Sequence, residues 1–224
     1  TTLSTMFGSH LQGMPIIAEN GTYVVRDGID ISSSTIDPNL TREVITGVRQ
    51  LRNDGHDVGL VVATKSIAYL ERGDDPFVSH VATYYHSHRI VKDLSEHTDD
   101  VIKLSIYDFR EASEATYPTM QRTAPEHQVI LATPNWVDIM NPGVNKGSAV
   151  EAVQRDLGVT ADQTAIFGDF LNDLEMMPMA KWSFAMANGH PNIVKASNYV
   201  APPNTENGVI TVLAALLGTR VPIT

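Results

Sequence analysis

The chain has 224 residues, a formal net charge of −10, 42% hydrophobic and 19% charged residues, and no cysteine. This is a globular composition; it excludes disulfides, thiolate–zinc sites and a cysteine nucleophile. The Lys and Arg residues lie singly among acids, which argues against a nucleic-acid-binding surface. No apolar run approaches the ~20 residues of a membrane span and no signal peptide is visible, so a soluble cytoplasmic protein is the default expectation. An acidic protein that handles an anionic substrate must concentrate its few cations, or a metal, at the site.

In chain order, residues 15–18 (PIIA) predict a short strand, closed by Glu19-Asn20-Gly21, and residues 22–25 a second strand in a hairpin. Asp37-Pro38 opens a helix whose apolar positions Val44, Ile45, Val48 and Leu51 keep helical spacing until Asn53-Asp54-Gly55. Residues 58–63 (VGLVVA) read as a buried strand, residues 78–85 as another, and residues 127–132 as a further one. Residues 101–107 alternate, which puts Val101, Lys103, Ser105 and Tyr107 on one face. Strands this close in sequence suggest an α+β module over about 23–137.

After Pro142 the pattern changes to strict alternation of strand and helix. Residues 146–157 form a helix stopped by Gly158. Strands over 164–167, 182–187 and 199–200 then alternate with helices over 174–179, 191–196 and 208–217. Repeated β-then-α units imply an α/β fold with a parallel sheet and helices on both faces.

The chemistry concentrates in Phe167-Gly168-Asp169-Phe170-Leu171-Asn172-Asp173. The run follows a buried strand, so Gly168-Asp169 lies at the carboxyl end, where ligands bind in open α/β sheets. Asp169, Asn172 and Asp173 offer hard oxygen donors that suit Mg²⁺; the alternative is a helix N-cap. Upstream, Lys146 sits at a helix N-terminus against the dipole, which a bound phosphate would compensate; the alternative is a solvated surface lysine. The loops Ala185-Met186-Ala187-Asn188-Gly189 and Asn204-Thr205-Glu206-Asn207-Gly208 should reach the same sheet edge.

Three other features read as structural. His86 and His88 share a strand face but have no third metal ligand nearby. Trp136 reads as core packing, although it could close over a substrate. Met176, Met177 and Met179 fill the core side of a short helix.

The segments N-K-G-S-A-V, G-D-F-L-N-D-L-E-M-M, A-M-A-N-G, N-Y-V and N-T-E-N-G-V resemble the C-terminal half of the haloacid dehalogenase superfamily, in its Cof-like branch with a large α/β cap. P-I-I-A-E-N-G-T-Y-V resembles the entry to that cap and T-P-N-W-V-D-I-M-N-P-G-V-N-K-G its exit. The resemblance implies a Rossmann-like core from residues 1–21 and 138–224, with an inserted cap over 22–137. It implies a Mg²⁺-dependent phosphatase of small phosphorylated metabolites, often sugar phosphates, acting through a phospho-aspartyl intermediate. Lys146 would then neutralise the phosphate and nucleophile. Asp169 would ligate Mg²⁺, and Asp173 would hold it directly or through water. Asn172, Asn188 and Asn20 would lie near the substrate.

The family's Asp-x-Asp-Gly-Thr nucleophile motif is absent from the 224 residues, as is its Thr/Ser motif. Residues 4–11 resemble the helix that follows the latter. The expectation is therefore a core lacking its first two strands, whose nucleophile lies outside this chain. Two alternatives are a non-catalytic protein that binds or senses a phosphorylated ligand, and a phosphomutase of the same superfamily.

Overall fold

The computed structural model describes residues 8–219, and the chain separates into two compact units, Thr1–Val144 and Asn145–Thr224. Of the helix expected over 4–11, residues 4–7 lie outside the described residues and Gly8–Leu11 is a single 3₁₀ turn.

The first unit begins with an antiparallel sheet of β1 (Ile16–Ala18), β2 (Tyr23–Arg26) and β3 (Ile29–Ser33). The expected hairpin is present, with Ile16 opposite Val25 and Ala18 opposite Tyr23. Helix α1 (Pro38–Asn53) starts where the sequence says it should. Asp37 caps it by accepting from the Asn39 N–H at 2.7 Å, and Pro38 costs nothing in the first turn. Its buried residues Leu40, Val44, Ile45, Val48 and Leu51 form one stripe.

That stripe packs on a six-stranded sheet. In chain order its strands are β4 (Val58–Thr64), β5 (Ala68–Leu70), β6 (His88–Ile90), β7 (Val101–Asp108), β8 (Gln128–Leu131) and β9 (Trp136–Met140). Their spatial order is β6-β5-β4-β7-β9-β8. Leu60, Val62, Leu104 and Ile106 face α1 together with Met120 of α3 (Thr116–Thr123). Val61, Tyr107 and Trp136 face the opposite way, into a second cluster with Phe77 and Val81.

Phe77 and Val81 belong to a helix, α2 (Asp75–Tyr84), and not to the strand expected over 78–85. The segment is rich in β-branched and aromatic residues, which favour strand. The signals that decide lie upstream: Asp74 accepts from the Phe77 N–H, and Pro76 sits in the first turn. Phe77 and Val81 are then one helical turn apart and both fully buried. Gly59 lets the Phe77 ring lie flat on β4, because a Cβ there would run into it. Strand β6 starts only at His88, whose Nδ1 lies 2.8 Å from the Tyr85 carbonyl oxygen, while His86 is in a bend. The two histidines therefore share no strand face.

Strand β7 departs from strict alternation at one point. Its pairing with β4 shifts register between Ala63 and Thr64, which leaves Ile102 as the extra residue of a bulge. Lys103, Ser105 and Tyr107 keep one face, as expected, but Val101 joins the α1 side. Lys103 is only 8% exposed. Its ammonium is 2.5 Å from Glu19 Oε2 and 3.5 Å from Asp138 Oδ2. Ser105 donates to Asp138 Oδ1 at 2.6 Å and lies 3.1 Å from the Tyr85 hydroxyl. The expected domain boundary after residue 137 falls inside β9, because Asp138 is tied to β7 in this way and pairs with Ser105 across the ladder.

The second unit is the β/α alternation read from the sequence. Strands β10 (Ala165–Gly168), β11 (Trp182–Met186) and β12 (Tyr199–Ala201) form a parallel sheet in that order. Around it lie α4 (Lys146–Leu157), α5 (Pro191–Ala196) and α6 (Gly208–Leu217). Rings stack across the sheet, Phe167 on Phe184 at 5.0 Å and Phe184 on Tyr199 at 5.2 Å. The short helix expected over 174–179 is a longer 3₁₀ run, Leu171–Met179, with Pro178 inside it. Met177 is fully buried there, and Met176 and Met179 are half-buried. No helix among the described residues is long and apolar enough to cross a membrane.

Two measurements check this packing. Phe77→Ala is expected to destabilise the protein by about 3–5 kcal/mol in denaturant unfolding, since a fully buried ring leaves a cavity. Alkaline pH should also destabilise it. Burial pushes the Tyr85 phenol up to about 12 from 10.0. Burial alone would lower Lys103, but Tyr85, Asp138 and Glu19 outweigh it and hold the ammonium well above its usual 10.5. Both groups are raised in the fold, so their contribution is complete below about pH 10 and is lost as pH rises toward 12. Tyr85→Phe should flatten that loss in unfolding measured across this range.

Candidate active site

The second unit places Lys146 and Asp173 in contact, although 27 positions separate them. Asn145 caps α4 in a reciprocal box with Ser148: the Ser148 N–H donates to Asn145 Oδ1 at 2.9 Å, and the Asn145 N–H to Ser148 Oγ at 3.1 Å. The cap makes Lys146 the first helical residue. Gly147 then decides how close the helix comes, because a Cβ there would overlap the Glu175 carbonyl. The start of α4 therefore lies directly on the 3₁₀ run, and Lys146 Nζ reaches Asp173 Oδ1 at 2.5 Å.

Asp173 is 5% exposed. Its other oxygen, Oδ2, accepts from the Asp169 N–H at 3.0 Å and the Phe170 N–H at 3.4 Å. Gly168 permits this fold-back, since a Cβ on it would press on Asp173 and Met177. A buried carboxylate with one ammonium and two amides is satisfied on both oxygens. Its arrangement suits orienting the Lys146 ammonium and shaping the loop after β10, not attacking a substrate.

The Asp169 side chain is exposed at the carboxyl end of β10. Its backbone is held by the His190 N–H, which donates to the Asp169 carbonyl at 2.7 Å, and by the close approach of Gly189. Asn188 binds its counterpart in the next loop: its Nδ2 donates to Asn204 Oδ1 at 2.9 Å, and its Oδ1 accepts from the Asn204 N–H at 3.2 Å. Asn172 is exposed on the first turn of the 3₁₀ run. Asn20 belongs to the other unit, half-buried in the β1–β2 turn at φ 56°.

Among the described residues, no group of three or more His, Asp or Glu is placed to hold a metal. Mg²⁺ needs less, because it keeps several waters and takes one or two carboxylates. An exposed carboxylate at a sheet's carboxyl end fits that demand in donor type, so Asp169 is the residue that could hold Mg²⁺ directly. Asp173, buried and already accepting from Lys146 and two amides, could reach it through a bound water.

Sequence reasoning singled out Lys146, Asp169, Asp173, Asn172 and Asn188, and all five stand on this unit's β10–α6 half or on α4. It passed over Glu19, Lys103 and Asp138. Glu19 has φ 50°, a left-handed conformation that a Glu adopts only when its surroundings hold it there. The one available sequence signal was Lys103, a lysine in an otherwise apolar strand.

Comparison with known proteins bears on the family and the fold. The profile of the haloacid dehalogenase-like hydrolase family matches residues 3–213. The chain is 27% identical to the 5-amino-6-(5-phospho-D-ribitylamino)uracil phosphatase YbjI of Escherichia coli K12, over 98% of this chain and 80% of that one. A haloacid dehalogenase-like hydrolase from Bacteroides thetaiotaomicron superposes with a TM-score of 0.83 at 19% identity, covering 96% of this chain and 81% of its own. A sugar phosphatase of subclass IIB in the same superfamily superposes with a TM-score of 0.72 at 20% identity, covering 96% and 80%. At those identities the two structures speak for the fold alone. With its parallel-sheet unit, its separate mixed-sheet unit and a family match over nearly its whole length, the chain belongs to the haloacid dehalogenase-like hydrolases.

Proposed function

We propose that this protein is a Mg²⁺-dependent phosphatase that hydrolyses phosphate monoesters of small metabolites, sugar phosphates among them. The observation that carries the reading is the Lys146–Asp173 pair beside an exposed Asp169 at the carboxyl end of a parallel strand. A relative named as phosphatase of a ribityl phosphate compound, aligned over nearly the full chain, supports it.

Phosphoryl transfer needs positioning and charge neutralisation more than covalent machinery. Lys146 supplies one positive charge, aimed by Asp173 and kept there because that carboxylate is buried. Asp169 supplies the metal-binding carboxylate, and bound Mg²⁺ would neutralise charge on the phosphoryl oxygens. Asn172 offers an amide donor to the same anion. Asn188 keeps its loop in place through Asn204. The nucleophile of the family motif is not among these 224 residues, so these side chains account for binding and neutralisation and not for attack.

A second reading is a protein that binds a phosphorylated ligand without turnover. A single experiment separates the two. A chain that carries the family's Asp-x-Asp-Gly-Thr segment together with these 224 residues is incubated with a sugar phosphate and Mg²⁺, and inorganic phosphate is measured. The phosphatase reading expects release that chelation with EDTA abolishes and added Mg²⁺ restores. It also expects Asp169→Ala and Lys146→Met to lower kcat/KM by roughly 10²–10³. Full activity in Asp169→Ala would remove the metal role. Saturable binding of the sugar phosphate by that chain, with no phosphate release, would establish the second reading.

A further inference from the structure

The six-stranded sheet ends in two edge strands, β6 and β8, and the two differ in kind. An edge presents a row of unpaired backbone N–H and C=O groups that another strand can use. Strand β6 is guarded against this. It is three residues long, it carries Arg89, and Lys92 follows it. Strand β8 has no such guard. Residues 127–133 read HQVILAT, with no Asp, Glu, Lys, Arg or Pro. Ile130 and Leu131 on it are 40% and 39% exposed. An uncharged edge with bare apolar side chains is what soluble domains ordinarily avoid, unless a partner strand covers it.

The ladder with β9 fixes which backbone groups of β8 are free. The Ala132 N–H donates to the Trp136 carbonyl at 2.9 Å. From there Leu131 stands opposite Val137, Ile130 opposite Asp138 and Val129 opposite Ile139. Bonded and non-bonded positions alternate along an antiparallel pair. Ile130 therefore turns its N–H and C=O toward β9, while Val129 and Leu131 turn theirs outward. Among the described residues no strand takes them up. The side chains alternate too: Val129 packs with Val137 and Ile139 on the α1 side, and Ile130 lies on the other face with Asp138.

We propose that β8 pairs antiparallel with β8 of a second copy of this chain, about a two-fold axis at Ile130, joining two sheets into one. A two-fold axis through such a sheet sets like faces side by side, so residues that oppose each other must point the same way. Centred on Ile130, the register meets that condition. Val129 of one copy then stands opposite Leu131 of the other, on both sides of the axis, and each pair exchanges both of its outward hydrogen bonds. Moving the axis by one residue would bring in His127 or Thr133, whose N–H groups are already given to Ala124 and Trp136. Charge permits the approach as well. A chain of net charge −10 repels its own copy over much of its surface. In this register the exposed Glu126 falls across from Pro134 and not from the Glu126 of the other copy. A second copy is the occupant that this edge selects, because it brings the same uncharged apolar stretch in a register where every outward group is matched.

Sedimentation equilibrium of the whole chain over ~1–100 μM tests this. The mass is expected to rise with concentration to twice that of one chain and to stop there, because a two-fold contact closes on itself. Ile130→Lys sets two ammonium groups against each other at the axis and should weaken association at least about tenfold. Ile130→Glu should do the same. An equimolar mixture of the two substituted chains should associate at least as tightly as the unsubstituted chain, since opposite charges then face each other. Mixing cannot repair a folding defect, so recovery in the mixture reports the contact itself. A single-chain mass at every concentration, association that continues past two chains, or no recovery in the mixture would overturn the proposal. So would a dimer that Ile130→Lys leaves unchanged, which would place the contact elsewhere, such as on the exposed leucines of α6. None of these measurements involves phosphate, metal or turnover, so failure here is distinct from failure of the phosphatase reading.

Discussion

A buried carboxylate has to be satisfied, and the architecture of the second unit follows from satisfying Asp173. Left alone, an ionised group in that position costs several kcal/mol. The chain provides Lys146 from the start of α4 and two amide groups from the loop after β10. Those partners arrive only if two backbones come unusually close, which explains Gly147 against Glu175 and Gly168 against Asp173. Helix, loop and strand end are thereby locked around one charge. Asp169, the next residue along, is left exposed where a cation and an anion could both reach it.

The first unit meets the same constraint with the signs reversed. Lys103 is a cation on a strand whose other residues are buried, and it is kept charged by carboxylates brought from two distant elements. Glu19 comes from the β1–β2 turn and Asp138 from β9. The left-handed backbone at Glu19 belongs to this arrangement. A turn that could have used glycine carries a carboxylate instead, in a conformation a long side chain adopts at a cost. In both units the charged network sits where regular packing stops: at a strand end in one case, and beyond the last turn of α2 in the other. Ligands can enter there without displacing core side chains.

The sequence was most legible where one local rule dominated. Asp37-Pro38 and Asn145 set the starts of α1 and α4, and apolar spacing set the buried stripe of α1. The β10–β12 alternation set a parallel sheet. It misled where two local rules competed. In 75–84 the β-branched and aromatic residues argued for strand, yet the cap at Asp74 and the one-turn spacing of Phe77 and Val81 made a helix. At Val101 strict alternation failed because a bulge removed Ile102 from the count. His86 and His88 were read as neighbours on a strand face, but β6 begins only at His88 and His86 lies in the bend before it.

By itself, the amino-acid sequence determined the α/β class and the run that follows β10. It also named Lys146, Asp169 and Asp173 as the candidate site, through the family resemblance of the segments that carry them, since residue type alone left a helix N-cap and a surface lysine open. Only the tertiary structure decided which of those groups is exposed. Burial and hydrogen bonding tie up Asp173 and leave Asp169 open, a distinction that residue type and spacing cannot express. It alone also assembled Glu19, Lys103 and Asp138, whose separations in sequence carry no periodic signal. Their proximity comes from β7 and β9 pairing and from a turn packing on the same sheet, and long-range contacts of that kind arise only once the chain has folded.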